Sequence, residues 1–145
     1  VSTGGFDTHS AQAADLPVLQ ADIAGSVRAF YDSLVEMGVE NSVTTFTASD
    51  FGRTLGVNGD GTDHGWGSHH MVLGGAVNVG QIHGDVPPPE LGHNQDAGRG
   101  RLIRQLSVDQ YAASLGSWFG LSEGELNDAI PGLGNFDRSA LANLF

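Results

Sequence analysis

Residues 15–38 read DLPVLQADIAGSVRAFYDSLVEMG, and residues 43–48, VTTFTA, follow after a short gap. In the first stretch Leu16, Leu19, Ile23, Val27, Phe30, Leu34 and Met37 recur every three or four positions, which lines one face of an α-helix. Asp15 is the expected cap, Pro17 suits the first turn and Gly38 is the expected stop. The second stretch is short and β-branched, so it reads as a strand. Upstream, Val1-Ser-Thr-Gly-Gly-Phe-Asp-Thr-His9 reads as a strand end running into a glycine turn. Downstream, Met71-Val-Leu-Gly-Gly75 reads as another buried strand. Strand, amphipathic helix, strand, loop, strand is the α/β pattern, which predicts a parallel sheet with helices on its faces.

The remainder is punctuated by glycine, 22 of 145 residues, scattered as turns between apolar segments. Residues 55–70 are glycine-rich and polar. Residues 76–100 form a long Gly/Pro/Asn loop, with a short strand near Gln81-Ile-His83 and an extended Pro87-Pro-Pro89. Ser107 with Gln110 predicts a capping box for a helix bearing Val108, Tyr111, Ala112, Leu115 and Trp118. Ser122 with Glu125 predicts a second, shorter helix stopped by Pro131, and the tail to Phe145 is apolar enough to dock. There is no repeat and no linker, and 145 residues suit one domain with a real core.

Composition removes several functions. With 39% hydrophobic and 16% charged residues the chain is neither a disordered acidic tail nor a membrane protein. Six arginines, no lysine and 17 acidic residues give a net charge of -11, so nucleic acid is not an expected partner. The absence of cysteine excludes disulfides, thiolate metal sites and a cysteine nucleophile. Without lysine there is no phosphate loop, and no Gly-x-Ser-x-Gly elbow occurs.

Chemistry concentrates in residues 1–70. Asp7, His9, Asp50, Asp63, His64, His69 and His70 all fall near expected strand ends, where α/β proteins bind ligands. Imidazole nitrogen and carboxylate oxygen are the donors that zinc and related ions take. Asp7 and His9 can reach one ion if the segment is extended; the plainer reading is a turn aspartate and a surface histidine. Adjacent Asp63 and His64 would diverge in a regular strand. In a loop they can serve two ions, or one can ligate while the other supports it. His69-His70 sits at the mouth of the next strand. Asp50 precedes Gly52 and Arg53, and Arg53 reads either as a pin for the loop or as a clamp on phosphate or sulfate. His83 and His93 read as surface loop residues.

Gly4-Gly-Phe-Asp-Thr-His9, Ser49-Asp-Phe-Gly-Arg-Thr54, Gly61-Thr-Asp-His-Gly65, Gly74-Gly75, Tyr111-Ala-Ala-Ser-Leu-Gly-Ser-Trp-Phe-Gly120 and Pro131-Gly-Leu-Gly-Asn-Phe136 resemble the DUF1501 family. That family is bacterial, often exported by the twin-arginine route, and similar to the alkaline phosphatase and sulfatase superfamily. The resemblance implies a mostly parallel three-layer α/β/α sandwich. It further implies that residues 1–145 are the C-terminal portion of a single alkaline-phosphatase-like domain. The first ligand aspartate and the Ser/Thr nucleophile would then lie in an absent N-terminal part. Asp7 and His9 resemble the family's ligand segment. Asp50 and His64 are the favoured further ligands, with Asp63 and one of His69 or His70 as alternatives. The superfamily's usual neighbour to the second aspartate is replaced by Phe51.

The resulting expectation is a periplasmic or extracellular metal-dependent hydrolase of phosphate or sulfate esters. Its cofactor would be a divalent ion (Zn, Ca, Mg or Mn), with Arg53 orienting the anionic ester and the chain alone inactive. It would associate with its missing portion or with itself. The alternative is a non-catalytic binding or structural module of an exported assembly, using the 76–100 loop as a surface.

Overall fold

The computed structural model describes residues 2–145. These divide into two compact units. The first comprises residues 2–75 with Pro87–Ile103, and the second Ala76–Val86 with Arg104–Phe145.

In the first unit α1 spans Gln12–Met37, a turn longer at its start than its periodicity predicts. Ala11, in the left-handed region at φ 50, precedes it, so Asp15 falls in the first turn and Pro17 inside the helix. Gly38 ends it at φ 69 and donates its N–H to the carbonyls of Leu34 and Val35. The seven-residue apolar face is real but only partly covered. Leu34 is buried; Leu16, Leu19, Ile23 and Val27 are half-buried; Phe30 and Met37 are exposed.

The strands differ from expectation. β1 (Thr44–Phe46) pairs antiparallel with β4 (Val72–Gly74), with Thr45 opposite Leu73. β2 (Gly52–Asn58) pairs antiparallel with β3 (Gly61–Gly65). The mostly parallel, alkaline-phosphatase-like three-layer α/β/α sandwich is therefore not what this chain forms: both sheets have two strands and both are antiparallel. The reason is local. A parallel pair across α1 needs a strand before that helix, and residues 2–7 are irregular rather than extended into a ladder. Residues 52–65, read as loop, instead close on themselves as a hairpin. Gly59, at φ 65, opens a two-residue connection between Asn58 and Gly61.

β2 bulges between Arg53 and Val57. There the N–H groups of Leu55 and Gly56 donate to the carbonyls of Gly100 and Arg99, which ties a distant turn to the hairpin. Gly56 permits this, because a Cβ there would lie 2.8 Å from the Arg99 carbonyl oxygen.

The second unit is helical. α2 (Val108–Phe119) and α3 (Glu123–Ala129) begin with the expected capping boxes, Ser107 with Gln110 and Ser122 with Glu125. Ala113, Leu126 and Leu133 form its core, with Leu121 and Ile130 packed against them. Gln81-Ile-His83 is not a strand, and His83, like His93 in the first unit, is half-buried rather than on the surface. Among the described residues no helix is long and apolar enough to cross a membrane.

Candidate metal centre

The hairpin supplies one wall of the site and the segment before α1 the other. Thr62 donates its N–H to the Thr8 carbonyl (3.3 Å) and Gln12 donates to the Asp60 carbonyl (3.0 Å), so residues 8–12 lie along β3. Gly61 makes the approach feasible: a Cβ there would stand 2.3 Å from the His9 carbonyl carbon. Thr8, between the two functional residues, is buried. The His9 N–H donates to the Asp7 carbonyl at 3.0 Å, a three-residue turn. Asp7 and His9 therefore converge through a tight turn, where the sequence suggested an extended segment.

Three donor atoms meet. His64 Nε2 lies 2.9 Å from Asp7 Oδ1, His9 Nε2 lies 3.1 Å from the same oxygen, and the two Nε2 atoms are 3.2 Å apart. Zinc sits about 2.0–2.1 Å from nitrogen and oxygen donors, which places tetrahedral donors about 3.3 Å from one another. The triangle is close to that spacing, so Asp7, His9 and His64 could hold a metal ion. Two imidazoles with one carboxylate suit zinc better than calcium or magnesium, which favour all-oxygen shells. All three residues are exposed, so an ion held there would be within reach of solvent.

The surroundings fix these groups. Arg53 Nη1 donates to Asp7 Oδ1 at 2.6 Å and its Nε donates to Thr62 Oγ1 at 3.1 Å. Thr62 in turn donates to Gln12 Oε1 at 2.9 Å, which ties the arginine to the start of α1. Hydrogen bonds from His64 and then Arg53 hold the Asp7 carboxyl below its ordinary range, partly opposed by desolvation. Phe51 stacks on the His64 ring at 3.8 Å and 11°, with the Arg53 guanidinium carbon 5.9 Å from the Phe51 centroid. Phe51, where the superfamily's usual neighbour would be a further ligand, thus packs against a candidate ligand instead.

Asp63 lies on β3 on the other side of His9, its Oδ1 4.0 Å from His9 Nδ1. Asn58 donates to it at 2.7 Å and Arg99 stands 3.5 Å away. The remaining expected ligands fall outside the converging group. Asp50 is in an exposed bend after β1, and His69 is exposed in the loop before β4. His70 Nδ1 is 3.2 Å from Thr47 Oγ1, which ties that loop to the end of β1. Sequence reasoning missed Asn58 and Arg99. Asn58 heads an Asn-Gly dipeptide that signals a hairpin, but nothing local to Arg99 announces a partner 36 positions away.

The first unit is thus a helix-and-hairpin module carrying an Asp/His/His group able to take a metal ion. Residues 1–101 match the family described as "protein of unknown function (DUF1501)", and the chain belongs to that family. The match contains every donor of the group and ends before α2. No curated protein and no solved structure matches the chain.

Proposed function

We propose that Asp7, His9 and His64 bind a divalent metal ion, zinc by donor type, and that this centre serves hydrolysis of phosphate or sulfate esters. This is the chemistry of the alkaline phosphatase and sulfatase superfamily. The observation that carries the reading is the meeting of three donor atoms from two separate segments within 2.9–3.2 Å. A bound ion would supply Lewis-acid polarisation of the ester's oxygens. The chain's own residues do the rest. Asp7 contributes the negative charge that balances the ion, and Phe51 restricts the His64 ring. Arg53 is sheltered, 19% exposed at its side chain, and its Nη2 has no hydrogen-bond partner among the described residues. One arm of its fork holds Asp7 and the other lies buried, so an anion pairs with it only once it is uncovered.

Zinc titration against a chromogenic chelator tests this. One equivalent should bind, and His64→Ala should weaken binding at least ~100-fold, more than loss of a supporting group would. Inorganic phosphate or sulfate should then bind the zinc-loaded chain but not the metal-free one, and Arg53→Ala should abolish that binding. A chain that takes up no zinc refutes the metal centre; zinc uptake without metal-dependent anion binding refutes the hydrolase.

A second reading has its own observation. Val79, Ile82 and Val86 are 78%, 79% and 59% exposed, which is unusual for three aliphatic residues so close in sequence. A non-catalytic module that binds through this segment would keep full partner affinity in the His64→Ala variant.

A further inference from the structure

Within the proposed metal centre, the geometry points to Asp63 as the positioning residue that turns His9 Nε2 toward the ion. An imidazole ligates through one nitrogen only, and its other nitrogen must then carry the proton. Metal-bound histidines almost always donate that second N–H to a carboxylate, carbonyl or water, which sets the tautomer and makes the ring a better ligand. His9 Nε2 faces Asp7 and His64, so Nδ1 must hold the proton, and the carboxylate that faces Nδ1 is Asp63, at 4.0 Å. An approach of about 1 Å converts this separation into a hydrogen bond.

Two features separate Asp63 from a ligand. It is more sheltered than Asp7, 27% against 54% exposed at the side chain, and it is already held by Asn58 at 2.7 Å and Arg99 at 3.5 Å. It also adjoins His64 on β3, and neighbouring strand residues point to opposite faces. His64 therefore faces the ion while Asp63 reaches His9 from the far side. The adjacency of Asp63 and His64 gives one strand both jobs: one residue binds the ion and the next orients a ligand supplied by another segment. Arg99 arrives through the bulge in β2, where Leu55 and Gly56 hydrogen-bond to the 99–100 backbone.

The inference rests on the metal reading, and its test keeps the two apart. Zinc-loaded chain labelled with ¹⁵N at histidine should show His9 bound through Nε2, with a downfield-shifted Nδ1 proton in long-range ¹H–¹⁵N correlation spectra. Asp63→Asn should lose that shift and weaken zinc 10–100-fold, and Asp63→Glu should recover part of both. Asn58→Ala, which leaves every carboxylate and imidazole in place, should give a several-fold loss; it carries the test if the Asp63 variant fails to fold. His9 bound through Nδ1, or zinc affinity in Asp63→Asn within twofold of the parent, overturns the positioning role and leaves the metal centre standing. A lower coordination number in Asp63→Asn by X-ray absorption makes Asp63 a ligand and also overturns it. A parent chain that binds no zinc overturns both.

Discussion

Replacing Gly61 by alanine tests the whole construction of the site with a single methyl group. The added Cβ would lie 2.3 Å from the His9 carbonyl carbon, 2.4 Å from its oxygen and 2.6 Å from the Ser10 nitrogen. All three are backbone atoms, so no side chain can rotate away, and β3 must part from residues 8–10. Forcing one methyl into a packed contact costs about 1–3 kcal/mol. Parting the segments also strains the bonds from Thr62 to Thr8 and from Gln12 to Asp60, each worth about 1 kcal/mol. The expected loss is thus about 2–4 kcal/mol, because the segments relieve the clash by giving up the bonds. Denaturant unfolding followed by circular dichroism measures it. Zinc affinity should fall in the same variant by more than ~10-fold, since Asp7 and His9 move away from His64. Gly25→Ala is the matched control. Gly25 lies inside α1 with nothing within 4 Å of the added Cβ, so alanine should stabilise it by up to ~1 kcal/mol. The same chemical change then has opposite signs at two glycines. Gly61→Ala with an unchanged unfolding midpoint and unchanged zinc affinity refutes the docking of residues 8–12 on β3.

The remaining predictions address the rest of the chain. Asp96 accepts backbone N–H groups from Gly92, Gly98 and Gly100 at 2.7–2.8 Å, which pushes its carboxyl below the ordinary 3.8. Because the folded value is lowered, its contribution is fully present above about 3.8 and is lost as pH falls through the folded value. Amide exchange at those three glycines should accelerate below pH 3.8 beyond its intrinsic pH dependence, and in Asp96→Ala at any pH. Leu126, 1% exposed against Ala113 and Leu133, should cost about 2–5 kcal/mol as alanine. Thermal unfolding read at the α2 and α3 amides checks this.

What could be read ahead of the structure follows the range over which each interaction acts. The helices are local objects. α1 was visible in the spacing from Leu16 to Met37 and its end in Gly38, while α2 and α3 were announced by Ser107–Gln110 and Ser122–Glu125, pairs three residues apart. Strand pairing is not local. Residues 52–65 are rich in glycine and polar groups, so periodicity gave no strand, and the turn signal in Asn58-Gly59 went unread. Residues 43–48 were seen as a strand, of which Thr44–Phe46 pairs, but the partner lies 28 positions on and antiparallel, where the α/β pattern implied a parallel sheet.

The error about the sheet carries through to the ligands in an instructive way. Asp50 was favoured because its place after a strand resembles the superfamily's second ligand aspartate, and that likeness presumes a parallel sheet where this chain has two antiparallel pairs. Donor chemistry nominated seven residues, the resemblance favoured Asp7, His9, Asp50 and His64 among them, and Asp7, His9 and His64 are the ones that converge. Donor type is a property of the side chain and survives a mistaken topology; donor position is a property of the fold and does not. The same distinction explains Asp63. Its carboxylate marked it as a ligand alternative, and the suggestion that one of the Asp63-His64 pair supports the other's ion came from their adjacency. Only the placement of His9 between them decides the roles, and that depends on Gly61 admitting a backbone from 52 residues earlier. Chemistry thus nominates ligands from a sequence, and position selects among them. The glycines that permit close backbone approach, Gly61 and Gly56 here, then become the positions to question about which segments meet.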